Sequence, residues 1–216
     1  MTENSKFFVF EGIDGCGKTT QIGKLSERIR ASNKYQDILL TREPTWRDKL
    51  IRKALEEDSD PYSSAVAMSH QFIGDRAIHW TEQIKPLLEQ GVFVICDRFS
   101  LSTCAYQSTQ GADIEELLLA HKERGIGVPR LTFYVDVSLD VARERKIGRR
   151  EYLEKFEKDS EFDEKLLNNY RKIIVMTKSD ELVRNVLGDI VTIDGTGSVA
   201  KVEADIWDAY SQRMKA

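Results

Sequence analysis

The sequence predicts an α/β protein with a five-stranded parallel sheet flanked by helices, and two observations carry that reading. Short apolar runs alternate with longer stretches of helical periodicity, and a glycine-rich segment separates the first run from the first helical pattern. Strands separated by helices imply right-handed βαβ crossovers and a parallel sheet covered on both faces.

The elements follow in order. Phe7 to Phe10 is an apolar run ending in Glu11-Gly12 and reads as a buried strand. Gly17 to Ser32 sets Ile22, Leu25 and Ile29 on one helical face. Ile38 to Thr41 is the second strand, and Val92 to Cys96 the third, closed by Asp97-Arg98. Leu131 to Val137 and Ile190 to Ile193 complete the five. Helical patterns fall near 48–57, 64–90, 113–124, 139–147, 162–185 and 198–213. With no repeat, low-complexity tract or Pro/Gly/Ser linker, a single domain over residues 1–216 is expected. In such sheets ligands gather at the carboxyl ends of the strands.

Composition narrows the function. The chain has 216 residues, 41% apolar and 31% charged, a profile that can bury a core and differs from that of a disordered protein. A net charge of -4 speaks against a nucleic-acid polymer as partner. Cys16, Cys96 and Cys104 are an odd set without CxxC spacing, which suits a reducing compartment and offers no zinc site. The N-terminus, Met1 to Lys6, is polar and the apolar run behind it is too short for a membrane span, so a cytoplasmic protein is expected.

Gly12-Ile13-Asp14-Gly15-Cys16-Gly17-Lys18-Thr19, followed by Thr20, matches GxxxxGK[ST] between a strand and a helix. Glycines let successive N–H groups turn toward phosphate oxygens, and the following helix adds its N-terminal dipole. Lys18 would reach the β- and γ-phosphates of a nucleoside triphosphate, and the Thr19 hydroxyl would ligate Mg²⁺. Cys16 reads as a small filler. A switch GTPase would need an Asn/Thr-Lys-x-Asp motif after a strand, whereas Thr177-Lys178-Ser179-Asp180 falls inside a helical pattern and reads as a solvated face. The size and lack of appended domains disfavour a motor, leaving a kinase of a small acceptor.

Six blocks then carry a family resemblance. They are Phe10 to Gly15 with the phosphate loop, Thr41-Arg42-Glu43-Pro44-Thr45, Phe72-Ile73-Gly74-Asp75-Arg76, Asp97-Arg98-Phe99, Ser102-Thr103-Cys104-Ala105-Tyr106-Gln107, and Phe133 to Val137. With these blocks the chain resembles thymidylate kinases of the nucleoside monophosphate kinase fold, from Phe7 to about Thr196. The resemblance implies ATP and dTMP as substrates, Mg²⁺, a lid over about 143–157, and a homodimer.

It also implies roles. Asp14 would face the acceptor's 3'-hydroxyl and phosphate region, accepting from a free 3'-OH. Phe72 would stack on thymine. Arg76, one helical turn later, would donate to O4 and suit the cytosine amino group poorly. Thr103 would bond the N3 edge, Tyr106 would crowd C2' against ribonucleotides, and Gln107 would lie near the sugar or base. Glu43, Pro44 and Ser102 complete the acceptor set. Arg98 would grip the acceptor phosphate, and Asp97 would order the Mg²⁺ shell directly or through water.

The basic stretch Arg143, Arg145, Lys146, Arg149 and Arg150 resembles the lid. Members of the family carry a catalytic arginine either in the phosphate loop or in the lid. The loop's variable positions here hold no cation, so the resemblance implies that Arg149 and Arg150 bring the catalytic charge, with Arg145 behind them. Lys155-Phe156-Glu157 departs from the family's Arg-Phe-Glu. Gly195-Thr196 resembles the loop passing the adenine. The alternatives are a kinase of another deoxynucleoside monophosphate and a nucleotide-binding regulatory homologue without kinase activity.

Overall fold

A computed structural model describes residues 5–45, 47–51, 53, 65–149 and 160–215. Its centre is one sheet of five parallel strands in the order β2-β3-β1-β4-β5. The strands are β1 (Phe7–Glu11), β2 (Ile38–Arg42), β3 (Phe93–Asp97), β4 (Leu131–Asp136) and β5 (Ile190–Asp194), within one residue of the predicted runs. Every residue of β1 is buried, as a central strand covered on both faces requires. Alternate side chains of β1 feed two cores. Phe8 and Phe10 join Phe133 and, from the helix Lys18–Ser32, Ile22, Leu25 and Ile29 on one face. Phe7 and Val9 join Trp80, Ile84, Leu88 and Phe99 on the other.

The helices are α1 (Lys18–Ser32), α2 (Ala65–His79), α3 (Lys85–Glu89), α4 (Ser100–Thr109), α5 (Ile114–Glu123), α6 (Leu139–Arg149), α7 (Ser160–Met176), α8 (Glu181–Leu187) and α9 (Val199–Lys215). A π-helical turn, Trp80–Ile84, joins α2 to α3 and keeps the expected 64–90 run nearly continuous. It ends beside Pro86, which withdraws a donor from the helical ladder. Residues 49–51 are helical; the expected helix of 48–57 otherwise lies largely outside the described residues.

Two expectations need correction. The 162–185 pattern is two helices, because the chain turns at 177–179 and Asp180 caps α8, its side chain accepting from the Val183 N–H. Thr177-Lys178-Ser179-Asp180 is therefore an inter-helix turn and cap rather than a solvated helical face.

The second correction is α4, which the periodicity did not predict. Its sequence, SLSTCAYQST, is poor in strong helix formers. Tertiary contacts supply what propensity lacks. At its start the Glu11 carboxylate accepts from the Phe99 and Ser102 N–H groups at 2.8 and 3.0 Å. At its end Asn169 Nδ2 donates to Ala105 O at 3.0 Å and to the Ser108 and Thr109 hydroxyls at 2.7 and 3.1 Å.

Candidate active site

The strand order reverses at β1, and the crevice beyond its carboxyl end is where a parallel sheet offers a ligand site. The glycine-rich loop fills that position. Gly12 and Gly15 have φ of 137° and 88°. A Cβ on Gly12 would meet Val135 O at 2.7 Å, and one on Gly15 would collide with Ala142 O. Conformation and space thus both exclude a side chain there. Gly17 caps α1 without a side-chain bond, which leaves the first N–H groups of the helix to an anion. Lys18 folds back over the loop, its Nζ donating to Gly12 O at 2.9 Å and Ile13 O at 3.2 Å. Thr19 is exposed, Thr20 is half-buried, and Cys16 is buried filler in the core.

Arg145 ties this loop to the one after β5. Its Nη1 donates to Cys16 O at 3.1 Å and its Nη2 to Gly195 O at 2.8 Å. Gly195 in turn donates its N–H to Asp136 O at 2.8 Å. The Thr196 N–H and hydroxyl both bond Asp194. Arg145 is thereby a fastener of two loops, which tells against a free catalytic arginine at that position.

Beside the loop lies an open cavity of about 610 Å³, lined by Asp14, Glu43, Pro44, Phe72, Arg76, Arg98, Ser102, Thr103, Tyr106 and Gln107. These ten come from the loop, the β2 end, α2, the β3 end and α4. The whole expected acceptor set is brought together here. Phe72 is half-buried on the cavity wall.

Arg98 organises one polar group. It follows β3 with φ 69°, a conformation that non-glycine residues rarely take. Its Nη2 pairs with Asp14, and its Nη1 bonds Ser102 Oγ at 3.2 Å and Tyr170 OH at 3.4 Å. Burial works to raise the Asp14 carboxyl, but Arg98 and then Lys18 outweigh it and hold it well below the usual carboxylate range. Ser102 Oγ also bonds Glu11 Oε2 at 2.5 Å, so its hydroxyl is committed to the protein. Burial raises the Glu11 carboxyl, and the Ser102 and Phe99 hydrogen bonds oppose that rise.

Arg76 organises the second. Its Nε donates to Glu43 Oε2 at 2.5 Å, and Nη1 reaches Thr103 Oγ1 at 2.9 Å and His121 Nε2 at 2.7 Å. Glu43 Oε1 takes His79 Nδ1 at 2.9 Å, and His79 Nε2 lies 3.0 Å from Thr41 Oγ1. Asp75 accepts from the Thr45 N–H at 2.7 Å and from its hydroxyl, which holds the loop after β2 against α2.

Asp97 Oδ1 is buried without a hydrogen-bond partner, a carboxylate oxygen able to accept from or ligate an outside group. Among the described residues no cluster of three His, Cys, Asp or Glu could hold a metal alone. A smaller cavity of about 360 Å³ adjoins the first, bordered by Ile13, Asp14, Tyr106, Arg143, Lys146 and Asp163 among others. Arg149 ends α6, but its side chain, Arg150 and Lys155-Phe156-Glu157 lie outside the described residues. Sequence reasoning missed Glu11, Asp75, His79, His121 and Tyr170. All act through partners 30 to 159 residues away, beyond any local pattern.

A phosphate loop at the switch point of a parallel sheet, opening onto a neighbouring cavity for a small acceptor, belongs to P-loop kinases of the nucleoside monophosphate type. The thymidylate kinase family model matches residues 10–206. The chain is 37% identical over 217 residues to the thymidylate kinase of Rhodopseudomonas palustris, covering 97% of this chain and 90% of that one. It is 34% identical to that of Afipia carboxidovorans over the same shares. A probable thymidylate kinase of Pyrococcus horikoshii matches at 36% over 87% of this chain and 91% of its own. The chain belongs to the thymidylate kinase family.

Proposed function

We propose that this enzyme transfers the γ-phosphate of ATP to dTMP, giving ADP and dTDP. The observation that carries the reading is the ten-residue cavity opening beside the phosphate loop, with an aromatic wall and two arginines held by separate carboxylates.

Phe72 offers a face to the thymine ring, and Arg76 offers its remaining Nη2 to O4. Thr103 Oγ keeps a lone pair for the N3 edge, while Tyr106 and Gln107 bound the sugar. Arg98 grips the acceptor phosphate, exchanging part of its bond to Asp14, which then accepts from the 3'-hydroxyl. A phosphate oxygen of dTMP attacks Pγ in line, so no side chain becomes a covalent nucleophile. Lys18 moves from the loop carbonyls onto the β- and γ-phosphate oxygens, and Gly195-Thr196 passes the adenine. Mg²⁺, when bound, neutralises phosphate charge; the Thr19 hydroxyl and the unpartnered Asp97 Oδ1 fit it. Arg149 and Arg150 remain the residues proposed to bring charge on lid closure.

A homodimer belongs to the same reading, and exposed Leu50, Val66 and Ile78 are apolar surface compatible with it. So does action in the cytoplasm, to which three unpaired buried thiols are suited. Among the described residues no helix is long and apolar enough to cross a membrane. A coupled ADP-release assay with dTMP, dUMP, dCMP, UMP and thymidine tests the assignment. dTMP gives the highest kcat/KM; equal turnover of dCMP overturns it.

A further inference from the structure

We infer that His121 is a positioning residue that sets the Arg76 guanidinium for reading the pyrimidine O4, and so helps determine base specificity. The inference rests on the proposed acceptor site and deepens it.

Arg76 is 3% exposed, and its orientation is fixed from several sides. Nε is on Glu43, Nη1 is shared by Thr103 and His121, and Cζ lies 5.2 Å from the centre of the Phe99 ring. Nη2 makes no hydrogen bond among the described residues, so the other contacts decide where this donor points. Of the groups touching Arg76, His121 lies on α5 and does not line the cavity. Its influence on a ligand there has to pass through the guanidinium.

The chemistry of its two neighbours fixes the state of the imidazole. Leu117 O, 2.7 Å from Nδ1, only accepts, so Nδ1 carries the hydrogen. Arg76 Nη1, 2.7 Å from Nε2, only donates, so Nε2 carries none. The ring is therefore a neutral Nδ1–H tautomer, locked in plane by bonds at both nitrogens. Burial, and then the neighbouring Arg76 charge, push its pKa down to about 3, so the acceptor persists throughout the physiological range. A neutral acceptor also suits the place. Glu43 already balances the guanidinium, and a second carboxylate would leave net negative charge facing the partial charge of O4.

The test compares His121→Leu, which removes the acceptor, with His121→Gln, which can restore one. Steady-state constants for dTMP and dCMP are measured on both and on wild type, alongside a thermal melt. His121→Leu should raise KM for dTMP about tenfold, the scale of one hydrogen bond to a charged group. It should leave kcat within about twofold and narrow the dTMP:dCMP preference to match. His121→Gln should recover most of that preference. A merely structural role would lower stability and activity on both nucleotides together and leave their ratio alone; a folded His121→Leu enzyme with the wild-type ratio overturns the inference. ¹⁵N spectra of the wild-type histidines supply a second measurement, needing no variant to fold. An Nδ1–H, bare-Nε2 ring is expected for His121, and an Nε2–H ring overturns the inference. A wild type with no preference for dTMP would instead remove the underlying reading of the site.

Discussion

The Arg76 Nε and Glu43 Oε2 atoms are 2.5 Å apart, and their side chains are only 3% and 2% exposed. A charge pair so deeply buried contributes little beyond an apolar replacement, but breaking it leaves the surviving charge without compensation. Glu43→Ala should therefore cost about 3–5 kcal/mol of stability. Glu43→Gln, which keeps an acceptor, should cost less. Urea unfolding checks both, and a loss under about 1 kcal/mol in Glu43→Ala would mean that Arg76 finds another partner.

Lys18 tests the phosphate loop. Its ammonium rests on two loop carbonyls, on a loop whose shape the glycines set, so Lys18→Ala should fold normally. Turnover should fall by about 10²–10³, the range seen when one preorganised donor is removed. Near-native turnover in a folded variant would remove Lys18 from the site.

Tyr106 borders both cavities, with its ring 5.3 Å from the Arg98 guanidinium carbon. Its bulk is what should exclude a 2'-hydroxyl. Tyr106→Phe should keep the preference for deoxyribose, whereas Tyr106→Ala should raise relative kcat/KM for ribosyl-TMP. An unchanged ratio in the alanine variant would place the sugar contact elsewhere.

The Asp14 carboxyl has a depressed folded-state pKa. Depression means that its contribution is fully present above the unfolded value of about 3.9 and is lost as pH falls from there toward the folded value. Asp14→Asn should therefore flatten the acid limb of stability below about pH 4 and leave it unchanged in shape above. Chemical denaturation between pH 2 and 7 measures this. An acid limb identical to wild type would mean that the pairing with Arg98 is absent in solution.

Much of this architecture was legible because it is local. Five strand runs, the glycine loop and the Phe72 to Arg76 helical turn are patterns within a few residues, and they bring Asp14, Glu43, Pro44, Phe72, Arg76 and Arg98 to one cavity. What stayed hidden is set by distant partners. Helix α4 carries Ser102, Thr103, Tyr106 and Gln107, yet is capped by Glu11 from β1 and Asn169 from α7. No propensity within Ser100–Thr109 announces those caps. The break at Asp180 was hidden for the opposite reason, since an apolar pattern ran on through a polar cap. Nothing within α5 sets His121 apart from its neighbours; its contact with Arg76, 45 residues away, comes from the fold alone.

Phosphoryl transfer to a thymine nucleotide can be followed directly by tracing the γ-phosphate. The enzyme is incubated with Mg²⁺, dTMP and ATP labelled at the γ-phosphate, and the labelled products are separated. Label is expected in dTDP, in step with ADP release, and much less in dCDP when dCMP replaces dTMP. Label released only as inorganic phosphate, or transferred equally to dCMP, would contradict it.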